Sequence, residues 1–314
     1  MSKKKRMPTR LSRERTGKNL QYILLSLPAV LVLLAFSYAP MFGLVLPFKS
    51  YKVTDGILGS NWISPIFKNF EFFFKSNYAG RVIRNTLCLN ALFIAAGTIC
   101  SVAFALLMFE VKNPKHVKIY QTFAILPSFL SWVAVSYVVY GLLETDKGII
   151  NKLIISLGGA KVNWYNNPSV WPVILMVVNI WHDVGLSSII YYAALMGIDN
   201  ALFEAAEMDG AKKWEKIWHV SIPQLVPIIT MMTIMKIGGI FRSDFGLFYN
   251  VTRNVGVLYP TTDVMDTFVY RALLESGDIG MSSAASLVQS IVCFVTIVIA
   301  NTVVKKIDEE KALF

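Results

Sequence analysis

Five ionisable side chains lie inside long apolar stretches of this 314-residue chain. They are His182 and Asp183 in one stretch, and Lys236, Arg242 and Asp244 in another. Charged groups in apolar surroundings are costly, so they are expected where they pair, line a polar cavity or bind a ligand. The pattern therefore predicts a polar site between two apolar segments. Two alternatives are an ion pair that fixes packing and, for Arg242 and Asp244, simple closeness to the end of a segment.

Catalytic and metal chemistry find little support in the sequence. The histidines His116, His182 and His219 lack the spacing of metal ligands, and no nucleophile elbow is present. The tripeptide from Asp244 to Gly246 matches the metal-binding tripeptide of kinases, but no catalytic or glycine-rich loop accompanies it. We therefore expect no catalytic residue and no metal ligand in this chain.

The elements that position the ionisable groups are six apolar stretches. Hydrophobic content is 55% and mean hydropathy is +0.53, above the ~45–50% apolar content of soluble domains. Each stretch can cross ~30 Å of hydrocarbon at 1.5 Å per residue, and each must be helical because lipid satisfies no backbone amide. The sequence thus predicts an all-α membrane protein with six transmembrane helices, at Tyr22–Leu46, Asn85–Phe109, Ile119–Leu143, Val170–Met196, Ile222–Tyr249 and Ser282–Val304.

Basic residues are distributed unevenly about these stretches. Lys and Arg are concentrated in residues 1–18, near 110–118, in the segment around Glu204 and in the tail 305–314, while the longer alternate connections hold fewer. This bias predicts that both termini are cytoplasmic. The net charge of +10 is then explained by basic residues that orient the chain in the membrane or contact anionic lipid headgroups, rather than by nucleic-acid binding. The first stretch is too long for a signal peptide and is read as a retained anchor.

A charged segment from Glu204 to Pro223 separates the fourth and fifth stretches. Asp199 or Asn200 can cap a short helix there, and Gly210 can end it in a left-handed conformation. The acidic side chains Glu204, Glu207 and Asp209 would be available to basic groups of a partner. A second helix is expected from Ala211 into the fifth stretch, with Pro223 near a helix start.

This segment resembles the cytoplasmic signature loop of permease subunits in binding-protein-dependent ABC importers. The pattern is Glu-Ala-Ala, three residues, Gly, nine residues, an aliphatic residue, any residue, an aliphatic residue and Pro. It is matched by Glu204, Ala205, Ala206, Gly210, Val220, Ile222 and Pro223. The stretch from Gly246 to Arg271 is similar to the carbohydrate-uptake branch, in the group found with polysaccharide and complex-oligosaccharide importers of Gram-positive bacteria.

The resemblance implies the type I ABC importer permease fold and a five-part assembly in the bacterial plasma membrane. Its partners would be a second, related permease, two copies of an ATP-binding subunit and an extracellular solute-binding protein that delivers an oligosaccharide. The residues matching the signature, together with Asp209, would couple to the ATPase. This chain lacks a Gly-x-x-x-x-Gly-Lys-Ser/Thr loop, so ATP and Mg²⁺ would be held by the partner.

The resemblance also suggests a pool of residues for the substrate pathway. It comprises the five ionisable side chains and aromatic residues that can hold sugars, and its members are His182, Asp183, Lys236, Arg242, Asp244, Phe245 and Tyr249. Alternatives are a permease for a non-sugar solute and, in a different class, an ion-coupled transporter or channel that uses the buried charges directly.

The chain is expected to divide into four parts. These are a basic cytoplasmic segment (1–18), the first transmembrane helix with its outer loop (19–84), a five-helix permease core with the coupling loop 199–223 (85–304), and a cytoplasmic tail (305–314). The outer connections are long and rich in aromatic and turn residues, which predicts that they are structured.

Overall fold

The computed structural model describes residues 10–75, 78–275 and 277–307. Regular structure in these ranges is helical, with an isolated β-bridge between Lys49 and Trp62. The α-helices are α1 (Arg10–Leu33), α2 (Gly56–Gly59), α3 (Lys68–Lys75), α4 (Ala79–Phe109), α5 (Pro114–Ile125), α6 (Trp132–Leu143), α7 (Ile149–Ser156), α8 (Trp171–Met196), α9 (Asn200–Met208), α10 (Lys213–Lys216), α11 (Ile222–Gly238), α12 (Tyr259–Thr262), α13 (Met265–Leu274) and α14 (Ile279–Ile307). π-helical turns occur at Leu34–Tyr38, Ile217–Ser221 and Leu247–Val251, and 3₁₀ turns at Ala39–Phe48, Leu126–Phe129, Trp164–Asn166, Pro168–Val170 and Gly256–Leu258.

Five helical segments of the described chain are long and apolar enough to cross a membrane. They are Gln21–Phe48, Ala79–Phe109, Pro168–Met196, Lys213–Gly238 and Ile279–Lys306. A bent pair, Pro114–Phe129 with Trp132–Leu143, gives a sixth when the two helices are counted as one span. The prediction of a six-span, all-α membrane protein is confirmed.

The third span is not the single helix predicted for Ile119–Leu143. It bends by 99° between the two halves. Pro127 lies in a 3₁₀ turn at the break, and Ser131 then caps α6 by accepting a hydrogen bond from the Ala134 amide at 3.3 Å. Proline and a new N-cap together end one helix and start another.

The fifth span also differs from the predicted range Ile222–Tyr249. The helical segment begins at Lys213, runs through a π turn and ends at Gly238, so the residues that follow leave the helix. The predicted start at Ala211 was two residues early. Pro223 follows the π turn, in which the Ile222 amide donates to the Ile217 carbonyl five residues back. This wider turn accommodates a proline, which lacks an amide hydrogen and crowds the preceding turn.

The bundle is organised around α4 and α8, which pack along each other. A core cluster joins them to α6 and the π turn Leu247–Val251, with Trp171 and Leu175 fully buried. Gly185 lets α8 approach the backbone of α5, since a β-carbon there would lie 1.9 Å from the Ala124 carbonyl oxygen. Helix α14 packs against α11, α13 and the segment Ala39–Phe48.

The connections predicted to be structured contain short helices in the described residues. A buried ion-pair cluster fixes one of them to the bundle. Asp263 has a side chain that is 1% exposed and pairs with Arg271 and, at 3.4 Å, with Arg81 of α4. Because Asp263 precedes α13, this cluster ties α13 to α4.

Candidate functional site

A polar cavity of about 230 Å³ lies between α4, α8 and the end of α11. Asp183 stands twelve residues along the 26-residue helix α8, about 18 Å from its start at 1.5 Å per residue, which places the cavity halfway along the bundle. Phe93 and Phe248, stacked with ring centroids 5.8 Å apart, form an apolar wall. The polar lining consists of Asn90, Ser101, Asn179, Asp183, Ser187, Lys236, Arg242 and Asp244.

Both cavity carboxylates accept hydrogen bonds from neighbouring groups of the protein. Asp244 accepts from the indole nitrogen of Trp132 at 2.7 Å and from the Leu247 amide at 3.2 Å. Asp183 accepts from the Asn179 amide at 3.2 Å and lies 2.6 Å from His182 Nδ1. These contacts fix the orientation of the two carboxylates.

His182 lies behind the cavity lining and joins α8 to the break in the third span. Its ring stacks on Trp132, with centroids 4.1 Å apart, and its Nε2 lies 3.1 Å from the Leu130 carbonyl oxygen. A carbonyl exposed by a helix break must find a donor, because lipid supplies none. His182 therefore satisfies the break and positions Asp183, rather than lining the cavity.

Trp132 is held from three directions. It stacks on His182, donates to Asp244, and lies against Gly246, where a β-carbon would come within 2.3 Å of the indole ring. The start of α6, the middle of α8 and the segment after α11 thus meet at one side chain. This contact links the broken span to the cavity.

The two cavity cations have no comparable partners. Within the described chain, neither Lys236 nor Arg242 has a carboxylate oxygen within 4.0 Å of its side-chain nitrogens. The alternative of an ion pair between these spans is therefore not seen among the residues described. The cavity presents two bases whose charges are not neutralised by direct contact.

Asn90 is a cavity residue that the sequence reasoning missed. Its amide nitrogen lies 2.7 Å from the Ile240 carbonyl, 3.2 Å from the Arg242 carbonyl and 3.0 Å from the Ser243 hydroxyl. It thus satisfies backbone groups released where α11 ends, just as His182 does at the other break. A polar amide inside an apolar stretch is the sequence signal for such a residue, and Asn179, which also lines the cavity, carries the same signal.

Two predicted pathway residues lie elsewhere. Phe245 and Tyr249 stack with centroids 4.9 Å apart, and Tyr270 packs on both. These rings form a cluster outside the cavity lining. The structure therefore brings together Asp183, Lys236, Arg242 and Asp244, places His182 behind them, and separates the two aromatic residues from them.

Helix α9 contains the Glu-Ala-Ala sequence and lies at the end of the bundle where α8 ends and α11 begins. Asp199 caps it by accepting from the Ala201 amide at 3.0 Å, and Gly210 follows it with φ +79°. Both local predictions are confirmed. A positive φ of this size favours glycine because a β-carbon would strain the backbone.

The inner side of α9 is attached to the bundle. Phe203 packs against Phe109 at the end of α4, with centroids 5.6 Å apart. Glu207 pairs with Lys216 at 2.6 Å. That hydrogen bond and charge lower the pKa of Glu207, so its carboxylate is paired within its own chain.

The opposite side of α9 is exposed. Glu204, Ala205 and Asp209 face outward, with Met208 88% exposed and Leu202 43% exposed. Ala206 is half-buried on α9, and the remaining signature residues, Val220, Ile222 and Pro223, lie at the π turn and the start of α11. The surface combines acidic and apolar groups on a short, capped helix.

The side chains that usually bind metal ions are those of His, Cys, Asp and Glu, all of which occur in the described ranges. No group of three or more His, Cys, Asp or Glu side chains there is arranged to hold a metal ion. Cys88, Cys100 and Cys293 are free and lie in α4 and α14.

The fold and cavity define a multi-pass membrane protein with a polar space at mid-depth and an exposed helix at one end. Residues 101–309 match the family of the binding-protein-dependent transport system inner membrane component. The chain belongs to this family, and it is a permease subunit of an ABC importer.

Curated relatives agree with this family. The chain is 35% identical over 290 residues to the polygalacturonan/rhamnogalacturonan transport system permease protein YteP of Bacillus subtilis, covering 91% of this chain and 88% of YteP. It is 32% identical over 287 residues to the protein LplB of the same organism, covering 91% and 89%.

Solved structures show the same architecture. A chain from a bacterial ABC transporter involved in the import of the acidic polysaccharide alginate has a TM-score of 0.85 and 31% identity, covering 96% of this chain and 100% of that one. A chain from the alginate transporter in complex with an alginate pentasaccharide-bound periplasmic protein has a TM-score of 0.84 and 31% identity, with coverage of 95% and 98%. The predicted ABC importer permease fold is confirmed.

Proposed function

We propose that this permease serves an ATP-driven importer of oligosaccharides or polysaccharide fragments and forms half of the translocation pathway. The observation that carries the proposal is that α4, α8 and α11 connect the exposed helix α9 to the polar cavity. A displacement of α9 would therefore be transmitted along the helices that line the cavity. The transport of polygalacturonan or alginate by similar proteins supports a saccharide as cargo.

The proposed assembly contains four further subunits. A second, related permease completes the pathway, two ATP-binding subunits hold ATP and Mg²⁺, and an extracellular solute-binding protein delivers the saccharide. Support comes from the absence of a phosphate-binding loop in the sequence and from the small number of spans available to enclose a pathway. The positive-inside bias supports cytoplasmic termini, with α9 on the cytoplasmic face.

We assign docking of the ATP-binding subunit to the outer side of α9. Its exposed Met208 and Leu202 offer apolar contact, and Glu204 and Asp209 offer charge to basic groups. The inner side, fixed by Phe203 and the Glu207 ion pair, would carry force into α4 and α11. A coupling element needs both an exposed surface and a rigid attachment, because a loose one would move without moving the bundle.

Two alternatives are less well supported. An ion-coupled transporter or channel has no need of α9, and membership of a binding-protein-dependent family argues against it. A non-sugar solute would use the same coupling helix, and uptake assays with labelled solutes decide between these cargoes.

The coupling role is tested by co-purifying the complete transporter from cells and measuring ATP turnover stimulated by the loaded solute-binding protein. Glu204→Lys and Gly210→Pro are expected to reduce either the bound ATP-binding subunit or the stimulated turnover. Glu275→Lys is the matched control for binding of the ATP-binding subunit, because Glu275 is also exposed but lies beyond α13, at the opposite end of the bundle from α9. Normal subunit binding and normal turnover in both α9 variants would overturn the assignment.

A further inference from the structure

The acidic and basic side chains of the cavity differ in their hydrogen-bond partners. Asp244 accepts hydrogen bonds from two groups of the protein, and Asp183 accepts one from Asn179 and lies 2.6 Å from His182 Nδ1. Lys236 and Arg242 line the same space without a carboxylate oxygen within 4.0 Å in the described residues. The carboxylates keep their negative charge and Asp183 attracts Lys236 from beyond 4.0 Å, but neither base is held in an ion pair within the described chain.

The next nearby acid is also engaged. Asp266 of α13 accepts from the Ser243 amide at 2.7 Å and from the Gln289 side chain at 3.2 Å. It attracts Arg242 only from beyond ion-pair distance. Asp266 is therefore oriented by donors other than Arg242 and does not form an ion pair with it.

We propose that Lys236 and Arg242 bind the carboxylate of an acidic sugar, which makes this permease selective for uronate-containing oligosaccharides. The inference rests on the proposed function and names the substrate class of the same cavity. Arginine presents a planar fork that matches a carboxylate, and lysine adds a compact charge. An unpaired cation at mid-membrane is costly, so a bound carboxylate removes part of that cost.

The rest of the lining suits a saccharide ring. The stacked rings of Phe93 and Phe248 provide an apolar wall for the face of a sugar. Asn179, Ser187 and Ser101 provide polar groups for hydroxyls. Polar groups placed beside an apolar surface are a usual feature of a small-molecule site.

The positions of the two bases explain how the site is built. Lys236 lies in the last turn of α11, and Arg242 lies six residues later, after the helix has ended at Gly238. Asn90 of α4 holds the carbonyl of Arg242 at 3.2 Å. The end of α11 thus places a base on the helix and a base beyond it around one cavity, which a continuous helix would carry further apart along its axis.

The experiment uses the complete importer in proteoliposomes with its solute-binding protein and two labelled probes, trigalacturonate and a neutral galactotriose. Lys236→Gln and Arg242→Gln are compared with Lys52→Gln, which removes an exposed lysine from a loop outside the cavity. Uptake by each variant is expressed relative to wild type for the same probe. The selectivity of the solute-binding protein then cancels.

Each cavity variant is expected to lower trigalacturonate uptake by about tenfold or more, which corresponds to ~1.4 kcal/mol. Any galactotriose uptake should change far less, Lys52→Gln should leave trigalacturonate uptake near wild type, and Lys236→Arg should recover much of it. The same fractional loss for both probes, or normal trigalacturonate uptake in both cavity variants, would overturn the charge assignment. Wild-type importer that moves neither probe would instead contradict the proposed function.

Discussion

Replacing Gly185 with alanine tests how the break in the third span is held. A β-carbon at this position would lie 1.9 Å from the Ala124 carbonyl oxygen and 2.7 Å from the Ile125 amide nitrogen. Ordinary contact begins near 3.4 Å, so α8 and α5 must separate by about 1.5 Å. Backbone atoms are involved, and no side-chain rotation relieves the overlap.

The separation has a local consequence and a free-energy cost. His182, one turn before Gly185, lies 3.1 Å from the Leu130 carbonyl, and a further 1.5 Å would break that hydrogen bond. Overpacking of a close contact costs ~1–3 kcal/mol of folding free energy. At roughly 2–4 °C per kcal/mol, the apparent melting temperature should fall by about 2–12 °C.

The assay is tryptophan fluorescence of the purified permease in detergent during a thermal ramp. Gly141→Ala is the matched control, because a β-carbon at Gly141 in α6 meets nothing within 4 Å. That variant should be at least as stable as wild type, since alanine is favoured over glycine inside a helix by roughly 0.5–1 kcal/mol. A Gly185→Ala protein that melts no lower than Gly141→Ala would refute the reasoning.

Three further predictions concern the contacts around the cavity and α9. Trp132→Phe keeps an aromatic ring but removes the indole N–H that donates to Asp244 at 2.7 Å. The melting temperature should therefore fall by an amount equivalent to ~1.5–3 kcal/mol. An unchanged melting temperature would mean that the hydrogen bond does not stabilise the fold. Asn90→Leu removes the side-chain amide that donates to the Ile240 and Arg242 carbonyls after α11. The detergent-purified variant should be less stable than wild type by ~1–3 kcal/mol. Wild-type stability would show that another group replaces the amide. The ion pair of Glu207 with Lys216 lowers the pKa of Glu207 below 4.5, so its stabilising effect is complete above that pH and is lost as the pH falls through the lowered pKa. The melting temperatures of wild type and Glu207→Gln should therefore differ near neutral pH and converge in acid; a difference independent of pH would contradict the ion pair.

Local signals accounted for α9 almost completely. Asp199 as an N-cap, Gly210 in a left-handed conformation and the exposed Glu204 depend on residues within a few positions of one another. The attachment of α9 to the bundle could not be predicted from neighbouring residues, because Glu207 pairs with Lys216, nine positions away across a turn. Glu207, which the sequence offers to a partner, therefore also forms an ion pair within its own chain.

The helix breaks were harder to predict from the sequence. Pro127 and the pair Gly238-Gly239 are local signals for a break, but hydropathy continues across both sites. Inside a membrane a break persists only where other helices supply donors for the released carbonyls. Those donors are His182 and Asn90, which are distant from the breaks in sequence.

The sequence by itself determined that this chain is a six-span helical membrane protein with a short, capped helix between the fourth and fifth spans. Long apolar segments must be helical in lipid, and caps and turns depend on neighbouring residues. Tertiary structure decided where the third and fifth spans break and which polar side chains share the cavity. Those outcomes depend on contacts between distant segments: Asn90 with the end of α11, and Trp132 with Asp244 across the bundle.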